Sequence, residues 1–239
     1  MLAQPPLLAK HAFVCQADEH LVFLDLKKDK YLCLGREHSI SVQEMLMACS
    51  SIKDSVVRSK GLDRSEARVV QSLLESGLFV HDKASGKTAV FASTEPPSTG
   101  VMIHTHASPA TVKFRHVSNF VRATMLASMR LRWSSIESIV QGVERRKRDV
   151  KCVVINPCTR VREHTAIFRA LRRYYPRQYL CLFDSLALIE FLARYGIFPQ
   201  WVFGVKMEPF GAHCWVQDGS TVLNDTAEFV RKFTPIMVV

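Results

Sequence analysis

Apolar and polar positions alternate three times near the start of the chain, in His11-Ala-Phe-Val-Cys-Gln16, His20-Leu-Val-Phe-Leu-Asp25 and Lys30-Tyr-Leu-Cys-Leu34. Polar turns at Asp18-Glu19 and Lys27-Lys28-Asp29 separate them. A period of two marks half-buried strands, so a three-stranded meander is predicted. The period then turns helical. Ser39 or Ser41 is placed to cap a helix running to about Cys49, and Asp63 to cap a second, with Glu66 three residues on to complete a capping box. The second helix sets Ala67, Val70, Leu73 and Leu74 on one face and stops at Gly77. Three strands and two or three helices make a small winged-helix-like unit over residues 1–84, just large enough to fold alone.

From Lys83 to Pro109 the composition shifts to Ala, Ser, Gly, Thr and Pro around Glu95-Pro-Pro-Ser-Thr-Gly100, and residues 85–105 read as a linker. A second domain, 106–239, follows. Its pattern predicts helices at Val117–Met129, Ser135–Arg146 and Thr159–Tyr174, then a long apolar helix from Cys181 to Tyr195 ended by Gly196. Strands come last: Gln200–Val205, Ala212–Gln217 and, after a turn at Asp218-Gly219-Ser220, Thr221–Asp225. Helices followed by strands define an α+β domain.

The charge is uneven. Of a formal net charge of +10, residues 106–180 alone carry 16 Lys/Arg against 4 Asp/Glu. Clustered cations suit phosphates. The run Glu144-Arg-Arg-Lys-Arg148, however, ends a predicted helix, where cations suit the dipole, and lacks the interleaved aromatics of a single-strand binder. A solvated basic face is the plainer reading, and no nucleic-acid partner is expected; an acidic or polar peptide partner also suits such a face. Seven scattered cysteines without a CxxC pair indicate neither a disulfide framework nor a zinc site. No metal or other cofactor is expected. No apolar run approaches the roughly 18 residues of a membrane span, and Met1–Ala17 lacks a signal-peptide pattern, so a cytoplasmic protein without a membrane partner is expected.

The candidate chemistry lies near the end. Cys181 follows the helix-breaking Tyr175-Pro176-Arg177-Gln178 and opens the apolar helix, where unpaired amides and the helix dipole stabilise a thiolate. In Phe210-Gly-Ala-His-Cys-Trp-Val216, strand parity puts His213 and Trp215 on one face and Cys214 on the other. A hairpin through Asp218-Gly219 lays Asp225 near His213, where a carboxylate fixes the imidazole for proton transfer with the thiol. Each residue also has a plain structural reading, as core cysteine, satisfied strand histidine and turn aspartate. It is the order, Cys at a helix start, His on a strand and Asp on the next, that points to cysteine peptidase chemistry.

The run Cys181-Leu-Phe-Asp-Ser-Leu-Ala-Leu188, with Tyr195-Gly-Ile197, Phe203-Gly-Val205, Pro209-Phe210, His213-Cys-Trp-Val216 and Leu223-Asn-Asp225, resembles the lasso-peptide B protein family. These are transglutaminase-like leader peptidases that mature ribosomally made lasso peptides. The resemblance implies a transglutaminase-like/papain-like cysteine peptidase domain with Cys181 as nucleophile, His213 as base and Asp225 as orienting carboxylate. The amide of Cys181, with Gln178 beside it, is expected to form the oxyanion site. The N-terminal unit is similar to the leader-recognition domain fused to such peptidases, with Lys30-Tyr-Leu-Cys-Leu-Gly35 as its motif. Two positions depart from the family's pattern: Asp184 stands where a basic residue is common, and Cys214 where a small one is. Asp184, a turn beyond Cys181, opposes a thiolate unless it faces elsewhere or pairs with an arginine.

The resemblance implies two partners, a lasso precursor peptide and an asparagine-synthetase-like lasso cyclase. The leader is expected to add as a strand along Lys30, Tyr31, Leu32, Cys33 and Leu34, its side chains meeting Glu66, Val69, Val70 and Leu73 of the second helix. Tyr31, Leu32, Val69 and Leu73 are equally explicable as core residues, Leu32 and Leu73 above all. Cleavage then frees the core's amino terminus for macrolactam closure by the cyclase. Two other classes stay open. A transglutaminase uses the same three residues to acylate an amine, and a winged helix can bind peptide or DNA without catalysis. Against DNA, the helix from Asp63 to Ser76 mixes Arg64 and Arg68 with Asp63, Glu66 and Glu75.

Overall fold

The three alternating segments form strands in nearly the predicted places: β2 (Ala12–Ala17), β3 (His20–Asp25) and β4 (Lys30–Leu34) build an antiparallel meander with Val14 opposite Phe23 and Phe23 opposite Leu32. The computed structural model describes residues 6–48, 64–100, 111–149 and 157–239. It divides into two units, residues 1–92 and 93–239.

In the first unit β1 (Leu7–Ala9) precedes the meander, and α1 (Arg36–Ala48), α2 (Arg64–Glu75), β5 (Phe79–Val80) and β6 (Gly86–Lys87) follow it. β1 lies between β5 and β6 in a small second sheet. Leu8, Val14, Phe23, Leu46, Leu73 and Phe79 meet in one buried core. α1 starts earlier than either serine suggested. The buried Ser39 hydroxyl bonds back to the Gly35 carbonyl at 2.9 Å and accepts from Leu21 N at 3.0 Å, so it ties the first turn to β3 instead of capping the helix. Ser41 donates to the Glu66 carboxylate, joining α1 to α2. Asp63 lies outside the described residues. α2 stops at Gly77, whose φ of +79° suits glycine. Ala67 is exposed on it, not turned inward with Leu73.

In the second unit a short strand, β7 (Thr99–Gly100), comes first. It is followed by α3 (Phe114–Trp133), α4 (Ile136–Asp149), α5 (Pro157–Arg172) and α6 (Cys181–Ala193). Then come β8 (Gln200–Lys206), β9 (Gly211–Asp218), β10 (Thr221–Val222), α7 (Ala227–Val230) and β11 (Thr234–Val238). The sheet order is β11-β8-β9-β10-β7, antiparallel except where β7 joins β10. Helices thus precede the main sheet, as the α+β pattern predicts. The stretch 85–105 is not all spacer: β6 belongs to the first unit's sheet and β7 to the second's. The buried Gln217 amide donates to the Glu95 carbonyl at 2.7 Å and to Thr94 Oγ1 at 3.2 Å, fixing the chain before β7.

α6 is the axis of this unit. It is apolar around its circumference and buried from Phe183 to Leu192, with α3 and α5 on one side and β9 on the other. Its two buried carboxylates are both paired. Glu190 receives Arg146 of α4 through two bonds, 2.7 and 2.5 Å, and Arg130 of α3 at 2.5 Å. Asp184 pairs with the buried Arg172 of α5. Part of the basic segment, read as a solvated face, is therefore turned toward the interior: the buried Arg172 and the half-buried Arg130 and Arg146 neutralise one helix. Among the described residues no helix is long and apolar enough to cross a membrane.

Candidate active site

Cys181 is the first residue of α6, where its amide has no partner within the helix and the dipole is positive. The approach is fixed from below. Arg172 donates to the carbonyls of Tyr175, Arg177 and Gln178 at 3.1–3.2 Å as well as to Asp184, and Asp184 accepts from Leu180 N at 2.7 Å. One guanidinium thus shapes the whole turn before the thiol. Asp184, expected to oppose a thiolate if unpaired, is turned inward and neutralised.

His213 stands at the middle of β9 opposite Gly204 of β8. A Cβ at Gly204 would lie 2.9 Å from the Trp215 ring and 3.0 Å from Phe233, so only glycine leaves both rings their seats. Those rings enclose the imidazole. Trp215 lies nearly parallel to it at 6.1 Å, Phe233 is tilted at 5.2 Å, and Phe229 meets it edge-on at 5.2 Å. His213 and Trp215 share a face, as parity predicts. The Trp215 indole donates to Gln217 Oε1 at 2.9 Å.

Asp225 follows β10, with Oδ2 2.8 Å from His213 Nε2 and Oδ1 accepting from Thr226 N at 2.7 Å. Thr226 caps α7. Gly100 packs closely behind, since a Cβ there would lie 3.2 Å from the Asp225 carbonyl. With Nε2 committed to the carboxylate, Nδ1 is the nitrogen left to the Cys181 thiol, with which His213 is hydrogen-bonded.

The charges follow from these contacts. The hydrogen bond from the Cys214 thiol, then that from His213, draw the Cys181 thiol far down, to about 4, against the effect of burial; the Cys214 amide assists. Burial lowers His213, but the hydrogen bonds to Asp225 and Cys181 outweigh it and lift the imidazole to about 9. Burial, and next the contact with Cys181, hold the Cys214 thiol well above its usual range, so it stays a protonated donor. Between these limits the resting pair is thiolate and imidazolium, charge states that suit a nucleophile and a proton donor.

A second bridge holds the parts in register. Asn224 accepts from Val216 N at 2.8 Å and donates to Ser185 Oγ at 2.9 Å, while Ser185 donates to the Cys214 carbonyl at 3.2 Å. Ser185 lies one turn beyond Cys181, Cys214 is next to His213, and Asn224 next to Asp225. Arg172, Phe229 and Phe233 escaped the sequence reading, and Ser185 was visible only inside the run Cys181–Leu188. Asn224 was visible only as part of a motif, and the contact of Cys214 with Cys181 was masked by parity, which sets it on the face opposite His213. That face packs on α6, and Cys181 sits at the helix's tip, within reach of both neighbours.

Gln178 is exposed, its carbonyl held by Arg172 at 3.2 Å. Among the described residues of the first unit β4 is the outer strand of its sheet, with Lys30, Leu32 and Cys33 exposed and Tyr31 and Leu34 half-buried. Leu32 is therefore not core, against expectation. Glu66, Val69 and Val70 are half-buried, and Leu73 lies in the core.

A helix-borne thiol thus packs against an antiparallel sheet that supplies an imidazole and then a carboxylate, an arrangement suited to cysteine-based chemistry. Residues 122–238 match the family model described as transglutaminase-like superfamily. No curated protein and no solved structure matches the chain. The chain thus carries a transglutaminase-like domain, a class made up in general of cysteine peptidases and acyl transferases, and its matched segment spans Cys181, His213 and Asp225.

Proposed function

We propose that this chain is a cysteine peptidase that removes the leader from a ribosomally made precursor, and specifically the leader peptidase of lasso-peptide biosynthesis. The observation that carries the peptidase reading is the pairing of Cys181, drawn to about 4, with His213, raised to about 9 and held by Asp225 at 2.8 Å. The Cys181 thiolate attacks the scissile carbonyl carbon, and the oxyanion meets the Cys181 amide, with Gln178 as the second donor. The C–N bond breaks as His213 gives its proton to the leaving amine. A water then loses a proton to His213 and attacks the thioester, releasing the leader as an acid and restoring the thiolate.

The exposed side chains beside this centre suit a peptide. Tyr179 and Leu180 precede the thiol, and Phe229 flanks the imidazole. The leader reading is supported by the outer strand β4, whose backbone offers a second chain the hydrogen bonds of one more strand. The family's motif residues add to it. The winged-helix-like unit would hold the leader, and a lasso cyclase would use the freed amino terminus, in the cytoplasm.

The test is mass spectrometry of a candidate lasso precursor incubated with the protein and with Cys181→Ala, with and without the cyclase. Release of an intact leader by the parent protein alone, with binding retained in the variant, is expected. Cleavage by both sinks the nucleophile, and incorporation of an added amine in place of water makes the domain an acyl transferase.

A further inference from the structure

α3 is apolar on two sides. His116, Phe120, Ala123 and Ala127 are buried, facing the interior of the unit. The opposite side carries Phe114, Val117, Val121, Met125, Met129 and Trp133, three or four residues apart over the whole helix, a length of about 30 Å. All six are exposed, from 87% at Phe114 and 69% at Trp133 to about two-fifths at Val117. Arg115, Arg122 and Arg132 are exposed among them, and the helix contains neither Asp nor Glu.

We infer that this face is a docking surface for an acidic amphipathic helix of a partner protein. Aromatic residues, methionine and arginine without lysine or carboxylates are the composition of a protein interface, not of a solvated surface. Among the described residues no carboxylate pairs with these arginines, Arg115 bonding only to His116 Nε2 at 3.3 Å, so carboxylates are asked of the occupant. A second copy docked through the same helix does not supply them: α3 laid antiparallel on itself brings Arg115 opposite Arg132, and laid parallel it brings each arginine near its equivalent. A lipid surface fits less well. A helix in a bilayer interface keeps its cations on a face away from the apolar one. Here Arg132 lies roughly five whole turns from Phe114, hence on the same line of the helix. Its place is within the contact, where a partner's carboxylate would pair with it.

Trp133 reports on the surface, because the other two of the chain's three tryptophans, Trp201 and Trp215, are buried. The full chain is titrated with a synthetic helical peptide bearing leucines at three- and four-residue spacing flanked by glutamates, and with the same peptide carrying lysines for glutamates. Vesicles of phosphatidylglycerol or of phosphatidylcholine are added separately. The glutamate peptide should shift Trp133 emission to shorter wavelength and saturate, with binding at least about ten-fold tighter than the lysine peptide. Arg122→Glu should weaken the first and strengthen the second, and Met125→Glu should abolish the shift while Trp201 and Trp215 emit as before. Equal binding of the two peptides, or no shift with the glutamate peptide, overturns the inference. A shift with phosphatidylglycerol vesicles alone assigns the face to lipid, and self-association removed by Met125→Glu assigns it to a second copy; either result also overturns it.

Discussion

His213 Nε2 and Asp225 Oδ2 lie 2.8 Å apart, at the side of the imidazole away from the thiol. Of the groups that raise His213, Asp225 is the first, ahead of Cys181, and together they overcome a burial that pulls the other way. Removing the carboxylate charge therefore lowers the imidazole and, through it, loosens the hold on the thiolate. The proposed activity requires Cys181 deprotonated and His213 protonated. It should rise through about pH 4 and fall through about pH 9, the limits of the pair. Asp225→Asn should bring the alkaline limb down toward the ordinary histidine range; alkylation of Cys181 by iodoacetamide across pH checks the acid limb, and the His213 ring titration followed by nuclear magnetic resonance checks the alkaline one. An alkaline limb unmoved by Asp225→Asn would show that the carboxylate does not tune the base.

Arg172 is the next test. Both members of its pair with Asp184 are nearly sealed from solvent, so removing one leaves a buried unpaired charge. Arg172→Met should cost about 3–5 kcal/mol in urea denaturation. It should also slow alkylation of Cys181, since the turn from Tyr175 to Gln178 loses its common donor. Arg172→Met combined with Asp184→Leu should recover much of the stability but not the reactivity. Recovery of both would mean that the pair does not shape the turn.

Asn224 joins three segments by two hydrogen bonds. Asn224→Ala strands a backbone amide and frees Ser185, for about 1–3 kcal/mol. On the proposed activity, kcat should fall about a hundred-fold with KM little changed, because what is lost is the alignment of thiol and imidazole. Ser185→Ala should do less, since Asn224 keeps its bond to Val216. A drop confined to KM would place Asn224 in substrate binding.

Gly204 controls the rings around His213. Gly204→Ala forces Trp215 or Phe233 to move, at roughly 1–3 kcal/mol. The His213 titration followed by nuclear magnetic resonance should shift, as the enclosure that opposes its charge is disturbed. An unchanged titration would mean that the rings give way without disturbing the base.

Much of the fold was legible because it repeats. Period-two alternation marked β2, β3 and β4 almost to the residue, and the apolar run marked α6 and its first residue. What escaped had no period. β7 is two residues long within a proline- and serine-rich stretch, and α7 is a single turn. β11 contains Pro235, which argues against a strand except at a sheet edge, where β11 is found. At the site, Cys181 and His213 were readable from local context, a helix start and a strand face. Arg172 was not, because an arginine in a basic helix looks solvated until its carboxylate is found twelve residues on.

Gln217 sets where the chain can be cut. Its amide is satisfied by Thr94, Glu95 and Gly219, and its carbonyl by Trp215. A truncated protein starting at 106, the boundary that composition suggests, loses β7 and two of those acceptors, and exposes the Asp225 turn that Gly100 backs. An excised second unit has to start at Ser93 if its imidazole is to keep its bearings. Proline and serine in that stretch belong to the domain's frame, and a protease that nicks it would disturb the setting of Cys181, His213 and Asp225 without touching any of the three.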